Sequence, residues 1–413
     1  MSDGETETPA DHESSSAAGR ESSTAANGEL STAANGELST AANGELSTAA
    51  NGESGSAAGR EPKTAAPDGE SEPAIAALGG GHGLYATLSA ARRLTRTITA
   101  VVTVADDGGS SGRLRAELGM LPPGDLRMAL AALAEDTEGV WARAVQHRFG
   151  GTGALAGHSV GNLIVAGLTE VLGDPVAALD EVGRILRTSG RVLPMSPIAL
   201  TIEADVSGLE ADPRVSRCIR GQVAVATTPG KVRRVRLIPS DPPASPEATS
   251  AIEHADVVVL GPGSWFTSVI PHVLVPGLRE ALVHTRARKV LVLNLAAEPG
   301  ETAGFSAERH LHVLSQHAPD FAVDHVVVDS GSVPEGRERE HVARAAEQLR
   351  ARVTFADVAE AGTDRHHPGK LAAALDQVIR QPRPESARLR VEGRHMGQQV
   401  RSALGGKERV SWR

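Results

Sequence analysis

The fold is decided by the stretch AIAALGGGHGLYATLSAARR, residues 74–93. A short apolar run is followed at once by four glycines around His82, and then by a helical pattern over residues 84–93. A second apolar run, ITAVVTV at residues 98–104, completes a strand–helix–strand unit. Because both runs are apolar throughout, they suit a parallel sheet that helices cover on both faces.

The same rhythm continues along the chain after a helical middle. Helices are predicted at residues 126–134, 140–149, 159–172, 175–187, 246–254, 274–285, 307–317 and 337–350. Strands are predicted at residues 257–260, 289–294, 325–328 and 353–355. Short β-rich pieces at residues 199–204, 223–226 and 232–238 predict a small antiparallel insert at about 192–240. The prediction is an α/β, Rossmann-like domain over residues 73–380, with a mainly parallel sheet, helices on both faces and a small β-rich insert.

The two ends of the chain differ from this domain. Residues 1–72 contain fourteen Asp and Glu against three Lys and Arg, and no Val, Ile, Phe or Trp. The unit TAANGELS occurs three times from Thr24, and it cannot bury enough apolar surface to offset its ordering entropy. We therefore predict a disordered acidic repeat tail over residues 1–72 and a basic tail over residues 381–413.

Charge and cysteine content exclude several classes of protein. The whole chain has a net charge of -9, whereas residues 1–72 alone have -11, so the folded part offers little electrostatic support for binding nucleic acid. Cys218 is the only cysteine, which rules out an intramolecular disulfide and a zinc site of paired cysteines. Neither a signal peptide nor a run of eighteen apolar residues occurs, so we expect a soluble, cytoplasmic chain with no transmembrane segment.

The glycine-rich loop GGGHG follows the first predicted strand and opens a helix, where backbone amides and the positive helix end attract anions. Gly81, Gly83 and Ala86 also match the spacing of the dinucleotide-binding fingerprint, with Asp106 near the expected ribose-binding acid. The alternative is a tight turn, which explains one or two glycines more easily than four. The predicted ligand-binding residues here are Gly79, Gly80, Gly81, His82 and Gly83.

A polar loop, DDGGSSGR, follows the second predicted strand at residues 106–113. Its carboxylates suit a ribose hydroxyl or Mg²⁺, its serines suit a phosphate, and Arg113 suits a bidentate clamp on that phosphate. A plain connecting loop is the alternative. The candidates are Asp106, Asp107, Gly108, Gly109, Ser110, Ser111 and Arg113, with Asp107 as the candidate metal ligand.

Three further segments contribute candidates: LPPGDLR at 121–127, GHSVGN at 157–162 and the second glycine loop in VVVLGPGSWFTS at 257–268. The second glycine loop lacks the Gly-Lys-Ser/Thr of a P-loop. Asp125 suits a helix N-cap as well as a ligand contact, and His158 alone suits a structural histidine. The segment GET, residues 300–302, is predicted at the rim of the same crevice. The candidates are Asp125, Arg127, His158, Asn162, Gly261, Gly263, Ser264, Phe266, Thr267 and Asn294.

The motifs occur together in an ordered set: GGGHGL, TVADDGGSSGRLR, LPPGDLR, GHSVGNL, GRVLP, VVLGPGSWFTSVIPHVLV and LNLAAEPGET. This set resembles the gluconeogenesis factor family, also called YvcK-like, a relative of 2-phospho-L-lactate transferase, over about residues 73–360. The resemblance implies a Rossmann-like core that binds a UDP-sugar such as UDP-N-acetylglucosamine. It also implies a role in cell shape, cell-wall synthesis and carbon metabolism during gluconeogenic growth, without a firm catalytic activity.

By the same resemblance the glycines of GGGHG, the DDGGSSGR loop and the GPGS loop hold the nucleotide, and Arg191 and Asn294 join them. This chain departs from the usual pattern at His82, where Thr is common, and at Trp265 and Phe266, where Leu-Tyr is common. Because the phenolic hydroxyl is absent, we expect Phe266 to contact the ligand by stacking instead.

Two other functions stay open at this stage. One is a transferase of the 2-phospho-L-lactate transferase type, with Asp106 and Asp107 on magnesium and Arg113 stabilising the developing charge. The other is an NAD-dependent dehydrogenase, which rests only on the glycine spacing. The expected partner is the UDP-sugar; cell-wall or signalling proteins could bind the tails, and a homo-oligomer is left open.

Overall fold

A computed structural model describes residues 72–212 and 214–382. In chain order the strands are β1 (Ile75–Gly79), β2 (Ile98–Val102), β3 (Arg191–Pro194), β4 (Thr201–Ser207), β5 (Ser216–Arg220), β6 (Lys231–Ile238), β7 (Val257–Leu260), β8 (Arg288–Val292), β9 (His325–Asp329) and β10 (Arg352–Ala356). The helices are α1 (Gly81–Ala91), α2 (Gly109–Leu118), α3 (Pro123–Leu133), α4 (Val140–Gln146), α5 (Val160–Leu172), α6 (Pro175–Leu186), α7 (Gln222–Ala226), α8 (Pro246–His254), α9 (Pro271–Leu274), α10 (Pro276–His284), α11 (Ala307–His317), α12 (Arg337–Gln348) and α13 (Pro368–Arg380). A π-helical turn, Trp265–Val269, lies between β7 and α9.

The main sheet of the described residues has seven parallel strands in the order β10-β9-β8-β7-β1-β2-β3. The chain builds β1, β2 and β3 in one direction and then returns to the other side of β1 to add β7 and the remaining strands. The strand order therefore reverses between β1 and β7. In open α/β sheets, ligands bind outside the carboxyl ends of the strands at such a reversal.

The register brings the ends of the central strands level with one another. Gly79 of β1 pairs with Val102 of β2, and Leu78 pairs with Leu260 of β7. Every residue of β1, β7 and β9 is buried, as expected for strands with helices on both faces. The loops that follow β1, β2 and β7 therefore start side by side at one edge, and the predicted parallel α/β fold is confirmed.

The predicted β-rich insert is confirmed as a three-stranded antiparallel sheet in the order β5-β4-β6. Its bounds differ from the prediction, because residues 191–194 form β3 of the main sheet and the insert proper starts at β4. Residues 223–226 were predicted as a strand, but they belong to the short helix α7. The predictions for the two tails fall outside the described residues, apart from residue 72 and residues 381–382.

No helix in the described ranges has both the length and the apolar character needed to cross a lipid bilayer.

Candidate functional site

The loops after β1 and β7 pack backbone against backbone. A Cβ atom on Gly83 would lie 2.1 Å from the carbonyl oxygen of Pro262, so only glycine fits at this position. The Thr87 hydroxyl donates to the carbonyl oxygen of Gly261 at 3.0 Å, and a Cβ on Gly263 would lie 3.6 Å from the carbonyl oxygen of Gly80. The two glycine loops therefore form one continuous surface at the point where the strand order reverses.

Asn294, which follows β8, holds the second loop through both ends of its amide group. Its Nδ2 donates to the carbonyl oxygen of Gly263, its Oδ1 accepts from the Gly263 N-H, and both distances are 2.9 Å. The sequence indicated Asn294 as a ligand contact. The structure places it as a positioning residue for the Gly263 backbone.

Two glutamates lie beneath this loop. Glu301 is only 2% exposed; it accepts from the Phe266 N-H at 2.9 Å and from the Thr267 hydroxyl. Burial raises the pKa of Glu301 to about 7, although the Thr267 hydrogen bond opposes this shift and Glu298 adds to it. Burial also raises the pKa of Glu298, opposed by hydrogen bonds from Ser264 and the Trp265 amide. Carboxyl groups therefore occupy the amino end of the π-helical turn, and Glu301 lies in the interior rather than at the predicted rim.

The aromatic residues after the second glycine loop are inside the protein. Trp265 and Phe266 are both fully buried. The ring of Phe266 packs edge-on against Phe305 at 6.0 Å and against His317 at 6.2 Å between ring centroids. Thr267 is also buried, and its hydroxyl is bonded to Glu301. Contrary to the prediction, neither Phe266 nor Thr267 is accessible to a ligand, because this turn is packed in the protein core.

Asp125 joins the first turn of α3 to the first glycine loop. It is not an N-cap of its own helix, whose N-cap is Pro122 without a side-chain hydrogen bond. Instead it accepts from the Gly81 N-H, at the first residue of α1. A Cβ on Gly80 would lie 2.5 Å from Asp125 Oδ2 and 3.2 Å from Ser268 Oγ. Asp125 is partly exposed and lies where segments following β1, β2 and β7 approach one another.

Opposing interactions with its neighbours set the pKa of the Asp125 carboxyl group. Burial and the neighbouring Asp106 raise its pKa to about 7, while the Gly81 amide and Arg127 oppose the rise. Burial and Arg148 lower the pKa of Arg127 to about 10, and Asp125 opposes this shift. At neutral pH the Asp125 side chain can therefore both accept and donate hydrogen bonds.

The adjacent Asp106 and Asp107 point to different partners. Asp106 Oδ1 accepts from the Gly108 N-H at 2.9 Å, and its Oδ2 lies 3.1 Å from where a Cβ on Gly124 would be. Asp107 instead accepts from the Gln222 N-H at 3.0 Å and the Val223 N-H at 2.9 Å, and so caps α7.

The magnesium prediction does not fit this arrangement. Both oxygens of Asp107 are already bonded to backbone amides of α7. Within residues 72–212 and 214–382, no group of three or more His, Cys, Asp or Glu is arranged to hold a metal ion.

Two of the three predicted arginine contacts, Arg113 and Arg191, are engaged elsewhere. Arg113 donates to the carbonyl oxygens of Ala156 at 2.7 Å and Ala154 at 3.3 Å, and so fastens the loop before α5. Arg191 forms a bidentate pair with Asp180 at 2.9 and 2.7 Å. It lies at the start of β3, beside a groove of about 460 Å³ at the amino edge of the sheet. The structure does not bring Arg191 to the other candidates.

The remaining candidates meet at the carboxyl edge. Ser111 Oγ accepts from the Gly124 N-H at 3.0 Å. Ser110, Arg127, His158 and Asn162 are joined in a buried chain of hydrogen bonds. The helices α1 and α2 both begin at glycines without a side-chain cap, and His82 is exposed on the first turn of α1. The residues brought together are Gly79, Gly80, Gly81, His82, Gly83, Asp106, Gly108, Gly109, Ser110, Ser111, Asp125, Arg127, His158, Asn162, Gly261, Gly263, Ser264 and Asn294.

Comparison with known proteins identifies the family to which the chain is similar. The family model "2-phospho-L-lactate transferase CofD" matches residues 75–364. A Mycobacterium leprae protein provisionally named a gluconeogenesis factor is 72% identical over 310 residues, which cover 75% of this chain and 86% of that protein. The gluconeogenesis factor of Bacillus subtilis is 38% identical over 270 residues, 65% of this chain and 83% of that protein.

A solved structure is similar as well. The crystal structure of a UPF0052 family member from Bacillus halodurans is 35% identical, with a TM-score of 0.66, and the match covers 74% of this chain and 100% of that one. The site geometry, the matched family model and these relatives agree, and the chain belongs to the 2-phospho-L-lactate transferase CofD family, among its gluconeogenesis factor members.

Proposed function

We propose that this protein binds a UDP-sugar of the UDP-N-acetylglucosamine type at the carboxyl edge of the main sheet. One observation carries the proposal: α1 and α2 begin after the adjacent strands β1 and β2, beside the reversal of strand order, with glycine N-caps that supply no side-chain bond, and the glycine loops after β1 and β7 pack with no side chain between them. At α1 the Gly81 N-H is bonded to Asp125, so the following amides of that first turn are the ones that meet the ligand. Free backbone amides at helix amino ends bind phosphate oxygens without a basic side chain. The diphosphate therefore lies against these two helix ends.

Asp125 and Asp106 supply the complementary half of the site. The Asp125 carboxyl group lies against the first glycine loop at Gly80 and Gly81, and the neighbouring Asp106 lies against Gly124 in the first turn of α3. Carboxyl oxygens accept hydrogen bonds from hydroxyl groups. They therefore suit the ribose or sugar hydroxyls of the ligand rather than its phosphates.

We further propose that the protein is a regulator of cell shape, cell-wall synthesis and carbon metabolism during gluconeogenic growth. The names of its relatives support the gluconeogenic part of this role, and the cell-shape and cell-wall part rests on the motif resemblance alone. The candidate metal ligand and the candidate phosphate clamp of a transferase, Asp107 and Arg113, are committed to structural hydrogen bonds. A cytoplasmic location follows from the role.

Calorimetric titration of the full chain with UDP-N-acetylglucosamine tests the binding proposal. We expect saturable binding by the wild type and its loss in Gly83→Ala, because the new Cβ would collide with the Pro262 carbonyl. The matched control is Gly167→Ala on α5, where a Cβ meets nothing within 4 Å. Absence of heat for the wild type, or equal binding by both variants, would contradict the proposal.

The second candidate is a transferase acting on a nucleotide-activated substrate; the magnesium ion expected for it would have to be held without Asp107, whose oxygens are bonded to α7. It is favoured by the matched family model and by the proximity of Asp106 to Asp125. It predicts turnover of a nucleotide-activated phosphate ester that stops when EDTA is added. Binding of the UDP-sugar without any turnover would favour the regulatory role.

A further inference from the structure

Four buried polar side chains from separate parts of the chain form one line of hydrogen bonds. Arg127 Nε of α3 donates to Asn162 Oδ1 of α5 at 3.0 Å. Asn162 Nδ2 donates to Ser110 Oγ of α2 at 3.0 Å. Ser110 Oγ lies 2.9 Å from His158 Nδ1, in the turn before α5. The four residues are between 1% and 5% exposed.

Arg127 determines which group donates and which accepts at each hydrogen bond of this chain. A guanidinium group can only donate, so Asn162 must turn its oxygen to Arg127 and its nitrogen to Ser110. The Ser110 oxygen thus accepts one bond and keeps one hydrogen of its own. In the part of the chain that the structure describes, His158 Nδ1 is the acceptor within reach of that hydrogen. A buried hydroxyl hydrogen without an acceptor is costly, so Ser110 donates to His158.

His158 is accordingly neutral, with its proton on Nε2. The charged groups around it come from α2, α3 and the segment after α4. Arg113 and Glu117 act on His158 directly, Arg148 donates to the carbonyl oxygen of the adjacent Gly157 at 3.0 Å, and Arg127 is joined to His158 through Asn162 and Ser110. Burial, followed by Arg113, lowers the pKa of His158, and Glu117 opposes them. The geometry and the charges favour the same protonation state.

Ser110 is also the second residue of α2, whose amino end belongs to the proposed phosphate site. We propose that Ser110 and His158 form a positioning pair that couples anion binding to proton uptake: the bound phosphate accepts the Ser110 hydrogen, and His158 takes a proton from solvent on Nδ1 to donate to Ser110 in return. This inference rests on the proposed function. Apart from the N–H bond that forms when one proton moves from solvent to His158 Nδ1, no covalent bond changes.

The coupling has a definite sign. When His158 is protonated, Asn162 and His158 both donate to the Ser110 oxygen, and its hydrogen is directed to the ligand. Ligand binding therefore raises the pKa of His158, and affinity for the phosphate-bearing ligand rises as pH falls. A rise of about one unit in the pKa of His158 on binding corresponds to an affinity about tenfold higher at a pH below both pKa values than at a pH above both.

Imidazole nitrogen NMR of the full chain, labelled at histidine, tests the proposed protonation state of His158 in the absence of ligand. His158 is assigned by the signal that disappears in His158→Gln. We expect the neutral tautomer with the proton on Nε2 at pH 7. A neutral ring with its proton on Nδ1, or a charged ring, would overturn the inference.

The proposed coupling between anion binding and proton uptake is tested with UDP-N-acetylglucosamine, and with pyrophosphate as a simpler probe. We expect the titration of His158 to move to higher pH on binding, and calorimetry in buffers of different ionisation heat to show uptake that peaks at about half a proton per ligand midway between the free and bound titrations, for a pKa rise of about one unit. Ser110→Ala should bind more weakly, because the phosphate loses the Ser110 donor, and without the proton uptake, whereas the exposed Ser250→Ala should behave as the wild type.

The outcomes separate the two proposals. Binding with an unchanged His158 titration would overturn the coupling and leave the UDP-sugar proposal standing. Binding of pyrophosphate with proton uptake, but no binding of the UDP-sugar, would support the coupling and reject the ligand. Binding of neither probe would reject both.

Discussion

At the scale of single residues, the side chains around the glycine loops mainly hold backbone in place. Asn294 satisfies both the N-H and the carbonyl of Gly263, and Thr87 bonds the carbonyl of Gly261. Because Gly263 has a positive φ of 138°, its peptide groups face directions that regular structure does not satisfy. The shape of the second loop therefore depends on the Asn294 amide.

We predict that Asn294→Asp weakens both the loop and the ligand site. The carboxylate still accepts from the Gly263 N-H but leaves the Gly263 carbonyl without its donor and adds repulsion. The free energy of unfolding should fall by about 1–2 kcal/mol and UDP-sugar affinity by roughly tenfold, measured by urea denaturation and calorimetry. Gln316→Glu, the same chemical change at an exposed position of α11, should alter neither quantity appreciably; equal losses in both variants would count against a positioning role.

At the scale of elements, α7 connects two of the loops at the carboxyl edge. Asp107 caps its first two amides, and at its other end a Cβ on Gly300 would lie 2.1 Å from the Ala226 carbonyl oxygen. A helix of five residues has almost no stability of its own. Its existence therefore depends on contacts with the loops after β2 and β8.

We predict that Asp107→Ala releases α7 without unfolding the main sheet. Amide hydrogen exchange at Gln222 and Val223 should become roughly tenfold faster, because a lost cap costs about 1 kcal/mol or more. Exchange in β1 and β7 should stay unchanged. Asp241→Ala removes an exposed aspartate and serves as the control. Unchanged protection of Gln222 and Val223 in Asp107→Ala would show that the cap does not hold this helix.

These elements show which parts of the fold and of the candidate site can be predicted from the sequence alone. The strands β1, β2 and β7 and their glycine loops were predictable, because apolar runs, glycines and helix starts are local signals. Helix α7 was not, since its apolar alternation favours a strand and the cap that makes it helical comes from Asp107, far away in sequence. The burial of Phe266 and the distance of Arg191 from the site depend on tertiary packing in the same way.

At the scale of the whole molecule, the interior contains carboxyl groups whose protonation couples to folding. Burial raises the pKa of Glu301 from its ordinary 4.5 to about 7. Between these values the folded state binds more protons than the unfolded state, so this group's contribution to stability falls as pH rises through the window. His272, whose pKa burial lowers to about 4, acts in the opposite sense, so only a comparison with a variant isolates Glu301.

We predict that Glu301→Gln removes this part of the pH dependence. Its amide oxygen can accept from the Phe266 N-H, and its amide nitrogen can donate to the Thr267 hydroxyl. From pH 5 to pH 8 the variant should gain about 2 kcal/mol of unfolding free energy relative to the wild type, measured by urea denaturation. The exposed Glu338→Gln is the control. Parallel pH curves for Glu301→Gln and the wild type would contradict the assignment.

The most direct test of the central claim, that the glycine loops form one ligand site, is hydrogen exchange of the full chain with and without UDP-N-acetylglucosamine. The account predicts simultaneous protection of residues 79–83, 106–113 and 261–264, with no change around Arg191 at the opposite edge. Protection confined to one of these loops, or found only at the amino edge of the sheet, would contradict it.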